Sequence, residues 1–147
     1  IAREHLISDR LEQLLREQLA TERPAKNQKQ LLFLTLSGER HKLGLLLAAA
    51  LFYAEGINCI LLNQELPLSE VPQLASDLEV DGVALSFSFH YSSRQAKNDL
   101  ATLRNQLGPQ FKLIAGGQAV QGGIQMQNLT ICTALEQIPE VCRKLFV

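Results

Sequence analysis

The sequence contains no tryptophan, one methionine and three cysteines, and aromatic residues make up only 5% of its 147 positions. No apolar run approaches the ~20 residues of a membrane-spanning helix, and no basic segment leads into an apolar one at the start, so we expect neither a membrane span nor a signal peptide. Cys59, Cys132 and Cys142 lie far apart in apolar segments and form no Cys-x-x-Cys pair. They predict reduced core thiols in a cytoplasmic protein.

Charge of one sign is also lacking, because the formal net charge is −1. Such a balance argues against broad electrostatic binding to nucleic acid or to an anionic membrane. The length and the 46% hydrophobic content are enough for one domain with its own core. Since the chain starts at Ile1 and its single methionine is Met126, we expect a fragment whose natural start lies upstream.

From Gln30 onward, short apolar strands alternate with helices. The predicted strands cover residues 31–36, 57–62, 82–88, 111–115 and 129–132, and the predicted helices cover 42–55, a segment from 69, 93–107 and 134–146. Five βα units with short connections predict an α/β fold, with helices on both faces of a five-stranded parallel sheet. We predict the flavodoxin-like (Rossmann-like) strand order 2-1-3-4-5.

An amphipathic helix precedes this alternation. Residues 1–20 place Ile7, Leu11 and Leu14 in a stripe at helical spacing, which we expect to pack on a neighbouring element or on another chain. Pro24 and a polar run then interrupt the pattern. The predicted division is therefore residues 1–25 as a helix plus linker and residues 26–147 as the main domain.

The least core-like stretches follow strands 1, 3 and 4. They read SGERHKLG, SFSFHYSS and AGGQAV, and in the predicted strand order they meet at the edge where ligands bind in such folds. A phosphoacceptor domain is excluded because strand 3 ends in Ser86, Phe87 and Ser88 instead of Asp. A dinucleotide site lacks its Gly-x-Gly-x-x-Gly turn, and Glu39 would repel the phosphate of a flavin.

The first of these stretches offers an imidazole two residues after a carboxylate. A histidine whose second ring nitrogen is held by an acid is a well-oriented metal ligand, so Glu39 and His41 are candidate site residues. Taken alone, the pair also fits a solvated loop. The stretches after strands 3 and 4 favour the metal-ligand interpretation.

Taken together, the three stretches resemble the signature of cobalamin-binding domains. The residues that carry the resemblance are Glu39-x-His41-x-x-Gly44, Ser86-x-Ser88 and Gly116-Gly117. The resemblance implies that His41 is the lower ligand of the cobalt and that the nucleotide tail of cobalamin inserts into the sheet. It also implies that the serines bond the buried heterocycle, while the glycines leave room for the tail. Ser88 stands where the family pattern has Leu.

The acid before the histidine is usually Asp in that family and is Glu39 here. The segment GERHKLGLLL is similar to MerR-type transcriptional regulators that sense cobalamin and light, the CarH/LitR group. Glu4 and His5 resemble a Glu-His pair that these regulators carry between a helical cap and the cobalamin fold. The resemblance therefore implies that Glu4 and His5 belong to the cofactor site and that residues 1–25 are the last helix of a truncated cap.

These features predict a cobalamin-binding sensor domain, loaded with adenosylcobalamin or methylcobalamin and possessing no catalytic residues. The resemblance implies homo-oligomers formed through the cap, DNA contacts only through a domain absent from this chain, and no membrane partner. Two alternatives stay open: a corrinoid carrier domain of a methyltransferase or mutase, and a relative that has lost cobalamin and serves as an interaction module. His90 and Tyr91 fit either packing or an approach to the corrin rim.

Overall fold

Five parallel strands form a single sheet in the order β2-β1-β3-β4-β5. The computed structural model describes residues 2–20, 28–122 and 124–146, and in the first helix it describes only the side chains of residues 6 and 9–17. The strands are β1 (Gln30–Leu34), β2 (Asn58–Leu61), β3 (Gly82–Ser86), β4 (Lys112–Gly116) and β5 (Leu129–Cys132). The predicted α/β flavodoxin-like fold and its strand order are confirmed.

Helices cover both faces of this sheet. They are α1 (Ala2–Ala20), α2 (Leu43–Ala54), α3 (Val71–Asp77), α4 (Ser93–Gln106) and α5 (Ile138–Phe146), and short 3-10 turns occupy Leu68–Glu70, Gln118–Val120 and Leu135–Gln137. The apolar clusters show that α3 and α4 pack on one face and α2 and α5 on the other. Because each βα unit ends its strand at the same edge, the loops after β1, β3 and β4 lie side by side.

The strands are apolar on both sides, which is why the sheet is buried on both faces. In β1, Leu32 and Leu34 belong to the core under α3 and α4, whereas Leu31 and Phe33 belong to the core under α2 and α5. Successive side chains of a strand point to opposite faces, so a continuous apolar run is what a two-sided sheet requires.

Several boundaries differ from those predicted; β1, for example, ends at Leu34 instead of residue 36, and α5 begins at Ile138 instead of residue 134. Strand β3 ends at Ser86 instead of residue 88, and Gly116 is the last residue of β4 instead of the first of a loop. The helix predicted from residue 69 begins at Val71, because Ser69 lies in the preceding 3-10 turn and Glu70 occupies the N-cap position without a side-chain bond. The shorter β3 leaves the residues after Ser86 free to turn toward the neighbouring loop.

Helix α1 packs against α2, on the outside of the sheet. Leu11 and Leu14 nevertheless stay 43% and 49% exposed, so no element described in this chain covers the predicted stripe. The side chain of Ile7 lies outside the described residues, as does the predicted boundary at residue 25 within the undescribed residues 21–27. Cover by another chain and the division into 1–25 and 26–147 stay predictions.

A separate property concerns membranes. Among the helices that the structure describes, none has the length and apolar character needed to cross a bilayer.

Candidate functional site

A buried carboxylate joins the loops after β1 and β3. Glu39 is only 1% exposed, and its Oε2 accepts a hydrogen bond of 2.7 Å from the backbone N–H of Ser88. Its Oε1 accepts two more, from Ser88 Oγ at 2.9 Å and from the backbone N–H of His41 at 3.0 Å. A carboxylate can be buried when several donors replace its water, and these three donors do so. Glu39 therefore fixes the two loops relative to each other.

The loop after β1 is also attached on its other side. The backbone N–H of Ser37 donates to Leu66 O at 3.2 Å, and that of Gly38 donates to Glu65 Oε1 at 2.6 Å. Lys42 Nζ donates to Asn63 O. Bonds on both sides hold this segment between the loops that follow β2 and β3.

His41 is the exposed member of the group. Its side chain is 55% exposed, and Nδ1 lies 3.5 Å from Glu39 Oε1, a close contact that is long for a strong hydrogen bond. Since Nδ1 is the ring nitrogen near the carboxylate, Nε2 is the one available to a ligand. The arrangement of acid and imidazole expected from the sequence is therefore present, with the acid buried and the imidazole at the surface.

Two aromatic side chains accompany His41. The ring of His90 stacks on His41 with centroids 4.6 Å apart and an angle of 16°, and Phe89 lies 3.8 Å from His90. Phe89 is 67% exposed, and the backbone N–H of His90 donates to Ser88 Oγ at 3.3 Å. From the sequence, His90 fitted either a packing role or a contact with the corrin rim. Its stacking on His41 could not be predicted from the spacing of the residues.

Tyr91, by contrast, points into the protein. Its ring meets Phe87 edge-on at 4.9 Å, and its hydroxyl donates to Asp99. Burial, then the hydrogen bond to Asp99, raises the pKa of Tyr91 well above its ordinary value. The phenol stays protonated at neutral pH, so Tyr91 serves packing.

A cavity of about 220 Å³ opens beside this group, between the sheet and helices α2 and α5. Four predicted site residues line it: Gly44, Ser86, Gly116 and Gly117. The rest of the lining is mostly apolar and comprises Phe33, Leu45, Ala48, Phe52, Ala84, Ile114, Gln121, Cys132, Thr133, Ala134, Leu135 and Ile138. The segment from Cys132 to Ile138 was missed from the sequence, because it carries no motif and its position depends on the pairing of β5 with β4 and on the packing of α5.

The three predicted glycines of the cavity are needed for different reasons. Gly117 has φ +102°, and an added Cβ would lie 2.2 Å from Phe87 O, so the fold itself requires glycine there. A Cβ on Gly116 would lie 3.2 Å from Cys132 O, whereas one on Gly44 would meet only Ser86 Oγ, at 3.8 Å. Gly117 is thus required by the fold as well as by any ligand, which the sequence-based expectation did not include. At Gly44, by contrast, an added side chain would fill part of the cavity without a clash with the rest of the fold.

One predicted contact lies elsewhere, and the side chains of two others are not described. Ser88 bonds Glu39 and does not line the cavity. Glu4 and His5 lie in α1, but their side chains fall outside the described residues. The structure thus brings together Glu39, His41 and Ser88 as one group and Gly44, Ser86, Gly116 and Gly117 as another, at the same edge of the sheet.

The three cysteines have thiols whose pKa values are raised. Burial raises the pKa of Cys132, whose Sγ lies 3.1 Å from Ala134 O, and raises that of Cys142 to about 11. Burial, then the neighbouring Cys142, raises the pKa of Cys59 to about 12. All three are free thiols that stay protonated at neutral pH. In the part of the chain that the structure describes, no three His, Cys, Asp or Glu side chains converge on a possible metal position.

The fold and the site define a class: a flavodoxin-like domain with a ligand cavity and an exposed imidazole at the carboxyl ends of its strands. The model of the B12 binding domain matches residues 29–133. This chain belongs to the B12-binding domain family, and the predicted cobalamin cofactor is thereby confirmed. Comparison with curated protein sequences returns no match.

Two solved structures resemble the fold. A novel cobalamin-binding protein from Desulfitobacterium hafniense DCB-2 is 20% identical with a TM-score of 0.59, and the match covers 82% of this chain and 60% of that one. The monomethylamine corrinoid protein of Methanosarcina barkeri is 18% identical with a TM-score of 0.66, and the match covers 95% of this chain and 67% of that one. Both are longer than this chain.

Proposed function

We propose that this domain binds cobalamin with His41 as the lower ligand of the cobalt and the nucleotide tail in the cavity beside Ser86. The single observation that carries the proposal is the placement of the Glu39–His41 pair and the cavity at one edge of the sheet. An imidazole held at one ring nitrogen by a carboxylate is a common way to orient a metal ligand. When bound, cobalamin supplies a cobalt whose upper ligand can be exchanged or cleaved.

The size of the cavity supports a placement with the nucleotide tail inside it and the corrin ring outside. Pockets that enclose a drug-sized molecule usually measure about 300–1,000 Å³, so a cavity of about 220 Å³ suits one end of a large ligand. Its apolar walls suit a flat heterocycle, and Ser86 adds a hydroxyl. The corrin ring would then lie outside, over the exposed His41.

We further propose that the domain serves as the sensor of a cytoplasmic MerR-type transcriptional regulator that responds to adenosylcobalamin or methylcobalamin. Support comes from the GERHKLGLLL segment and from the exposed Leu11 and Leu14 on α1, a surface suited to an oligomer contact. In this proposal the domain has no catalytic residue, and residues 1–25 end a helical cap. Glu4 and His5 would belong to the cofactor site, and DNA would be bound by a domain outside this sequence.

The second candidate is a corrinoid carrier domain. The observation that favours it is the match to the Methanosarcina barkeri monomethylamine corrinoid protein, which extends over 95% of this chain. In that case the same His41 site would present the cobalt to a catalytic partner. Illumination separates the two candidates: we expect the oligomer size of an adenosylcobalamin-loaded sensor to change in light and that of a carrier to stay the same.

The test of cobalamin binding is a titration of the purified protein, followed by absorption spectroscopy. We expect wild type to show the spectrum of cobalt bound to a histidine, and His41→Ala to convert it to a water-ligated form with weaker binding. Arg40→Ala is the matched control, because Arg40 is an exposed neighbour in the same loop. If the spectrum of cobalamin is unchanged by wild-type protein, the interaction-module alternative replaces this proposal.

A further inference from the structure

One buried hydroxyl has no partner in the folded chain. Thr35 is 1% exposed, and among the residues that the structure describes its Oγ1 is the only buried side-chain nitrogen or oxygen without a hydrogen bond. Its backbone carbonyl does accept a bond, from Leu66 N at 3.0 Å. Buried hydroxyls are normally paired, because an unpaired one has lost its water without replacement. The hydroxyl of Thr35 therefore requires an explanation.

The position of Thr35 relates it to the cavity. It follows β1 directly and comes two residues after Phe33, which lines the cavity, so its side chain points to the same face of the sheet. The pairing of β1 with β3 ends with Leu34 beside Leu85, and continuing this register by one residue sets Thr35 beside Ser86. Ser86 also lines the cavity. We therefore expect the unpaired hydroxyl behind the cavity lining, beside Ser86, since Thr35 itself does not line the cavity.

We propose that Thr35 is a positioning residue of the cavity, whose hydroxyl pairs with that of Ser86 when the nucleotide tail of cobalamin is bound. This inference rests on the proposed function. Ser86 lines the cavity, and rotation about its Cα–Cβ bond can turn its hydroxyl toward Thr35 or toward a bound tail. Ligand binding gives both hydroxyls a partner, and the orientation of Ser86 toward the tail becomes fixed. The ligand-free protein keeps Thr35 unpaired at a cost in stability.

This role predicts opposite effects of one substitution on stability and on binding. Thr35→Val has nearly the same shape and removes the hydroxyl. Without ligand, it should raise the melting temperature by a few degrees, because a buried unpaired group disappears. With cobalamin, it should weaken binding by about three- to tenfold, the usual effect of losing one hydrogen bond. A side chain that only supports the fold would not change these two quantities in opposite directions.

Two comparisons test whether weaker binding arises from the Thr35 hydroxyl and from the nucleotide tail. Cobinamide, which lacks the nucleotide tail, should bind wild type and Thr35→Val equally, because the pair orients only the tail. Thr35→Ser keeps the hydroxyl and should bind cobalamin within about twofold of wild type. Thr35→Ala gives a second variant without the hydroxyl, should Val pack poorly.

The experiment is a set of calorimetric titrations with cobalamin and with cobinamide, together with thermal unfolding of the ligand-free proteins. Unchanged cobalamin affinity in both Thr35→Val and Thr35→Ala, while wild type binds, would overturn the role of Thr35 and leave the proposed function intact. A lower melting temperature for ligand-free Thr35→Val would also overturn it, because the hydroxyl would then be paired already. Absence of cobalamin binding by wild type would overturn the proposed function and this inference together.

Discussion

The two faces of the sheet use the same strands but are filled differently. Toward α3 and α4, β3 and the residue that follows it present Val83, Leu85 and Phe87, which are buried in an apolar cluster. Toward α2 and α5, the same strand presents Ala84 and Ser86, and the cavity lies over them. Successive side chains of a strand point to opposite faces of the sheet. Alternating large and small residues therefore give one face that is fully packed and one face with space for a ligand. The difference is thus one of side-chain volume at alternate positions.

The largest expected effect comes from the filled face. Phe87→Ala should lower the free energy of unfolding by about 3–5 kcal/mol, because Phe87 is fully buried and no ligand replaces its volume. The neighbouring Ser86→Ala, on the other face, should change it by less than about 0.5 kcal/mol. Urea unfolding of both variants measures the contrast. Equal losses would show that the two faces do not differ as described.

A smaller effect is expected where the loops join. Glu39→Gln should lower the free energy of unfolding by about 1–3 kcal/mol, because an amide cannot accept all the bonds that Ser88 and His41 donate. The exposed Glu70→Gln serves as the matched control and should change stability by less than about 0.5 kcal/mol. Thermal unfolding of the ligand-free proteins is the measurement. A Glu39→Gln variant as stable as the control would contradict the role of the buried carboxylate.

High pH should weaken the face that holds the cavity. The pKa of Cys59 is about 12 in the folded protein and 9.0 ordinarily, so the unfolded chain loses its thiol proton first as pH rises. The stability due to this thiol is complete below pH 9 and is lost between 9 and 12. Between pH 8 and 10 the loss should be about 1 kcal/mol.

The measurement is denaturant unfolding of wild type and Cys59→Ala at both pH values. The variant should lose less stability than wild type over this range, although it is less stable at pH 8 because it lacks the bond from Sγ to Ala49 O. Identical pH dependence in the two proteins would show that the Cys59 thiol ionises no later in the folded than in the unfolded chain.

The smallest effect on stability should accompany a clear loss of binding. In Gly44→Ala the new methyl group meets only Ser86 Oγ at 3.8 Å, and alanine favours the helix by up to about 1 kcal/mol. The same methyl group occupies the cavity and should weaken cobalamin binding by about tenfold or more. Gly122→Ala is the control, because a Cβ there meets nothing within 4 Å. Wild-type affinity in Gly44→Ala would place the ligand elsewhere.

The sheet and the edge that carries the site were predictable from sequence, because they follow from local patterns. Apolar runs of strand length, helical spacing between them and short loops leave few topologies. Glu39 and His41 were predicted on residue type and spacing, Gly44 and Ser86 through the resemblance to cobalamin-binding domains, and each lies at the expected edge.

The remaining features depend on packing between distant segments. The turn of Ser88 toward Glu39 and the stacking of His90 on His41 are set by where β3 ends, and that boundary was predicted two residues too late. The positive φ of Gly117 follows from its contact with the backbone of Phe87, which no sequence pattern records. Thr35 had no signal at all, because an unpaired hydroxyl can be recognised only when its surroundings are known.

The three hydrogen bonds to Glu39 have a consequence for the thermodynamics of binding. They hold the backbone of His41 and of Ser88 before any ligand arrives, so the conformational entropy of these two loops is lost during folding. A ligand that binds His41 then has only the imidazole ring left to order, and the entropic penalty of association falls accordingly. Loss of hydrogen bonds to the Glu39 carboxylate should therefore appear in calorimetry chiefly as a less favourable binding entropy, with the enthalpy of the metal–nitrogen bond little changed.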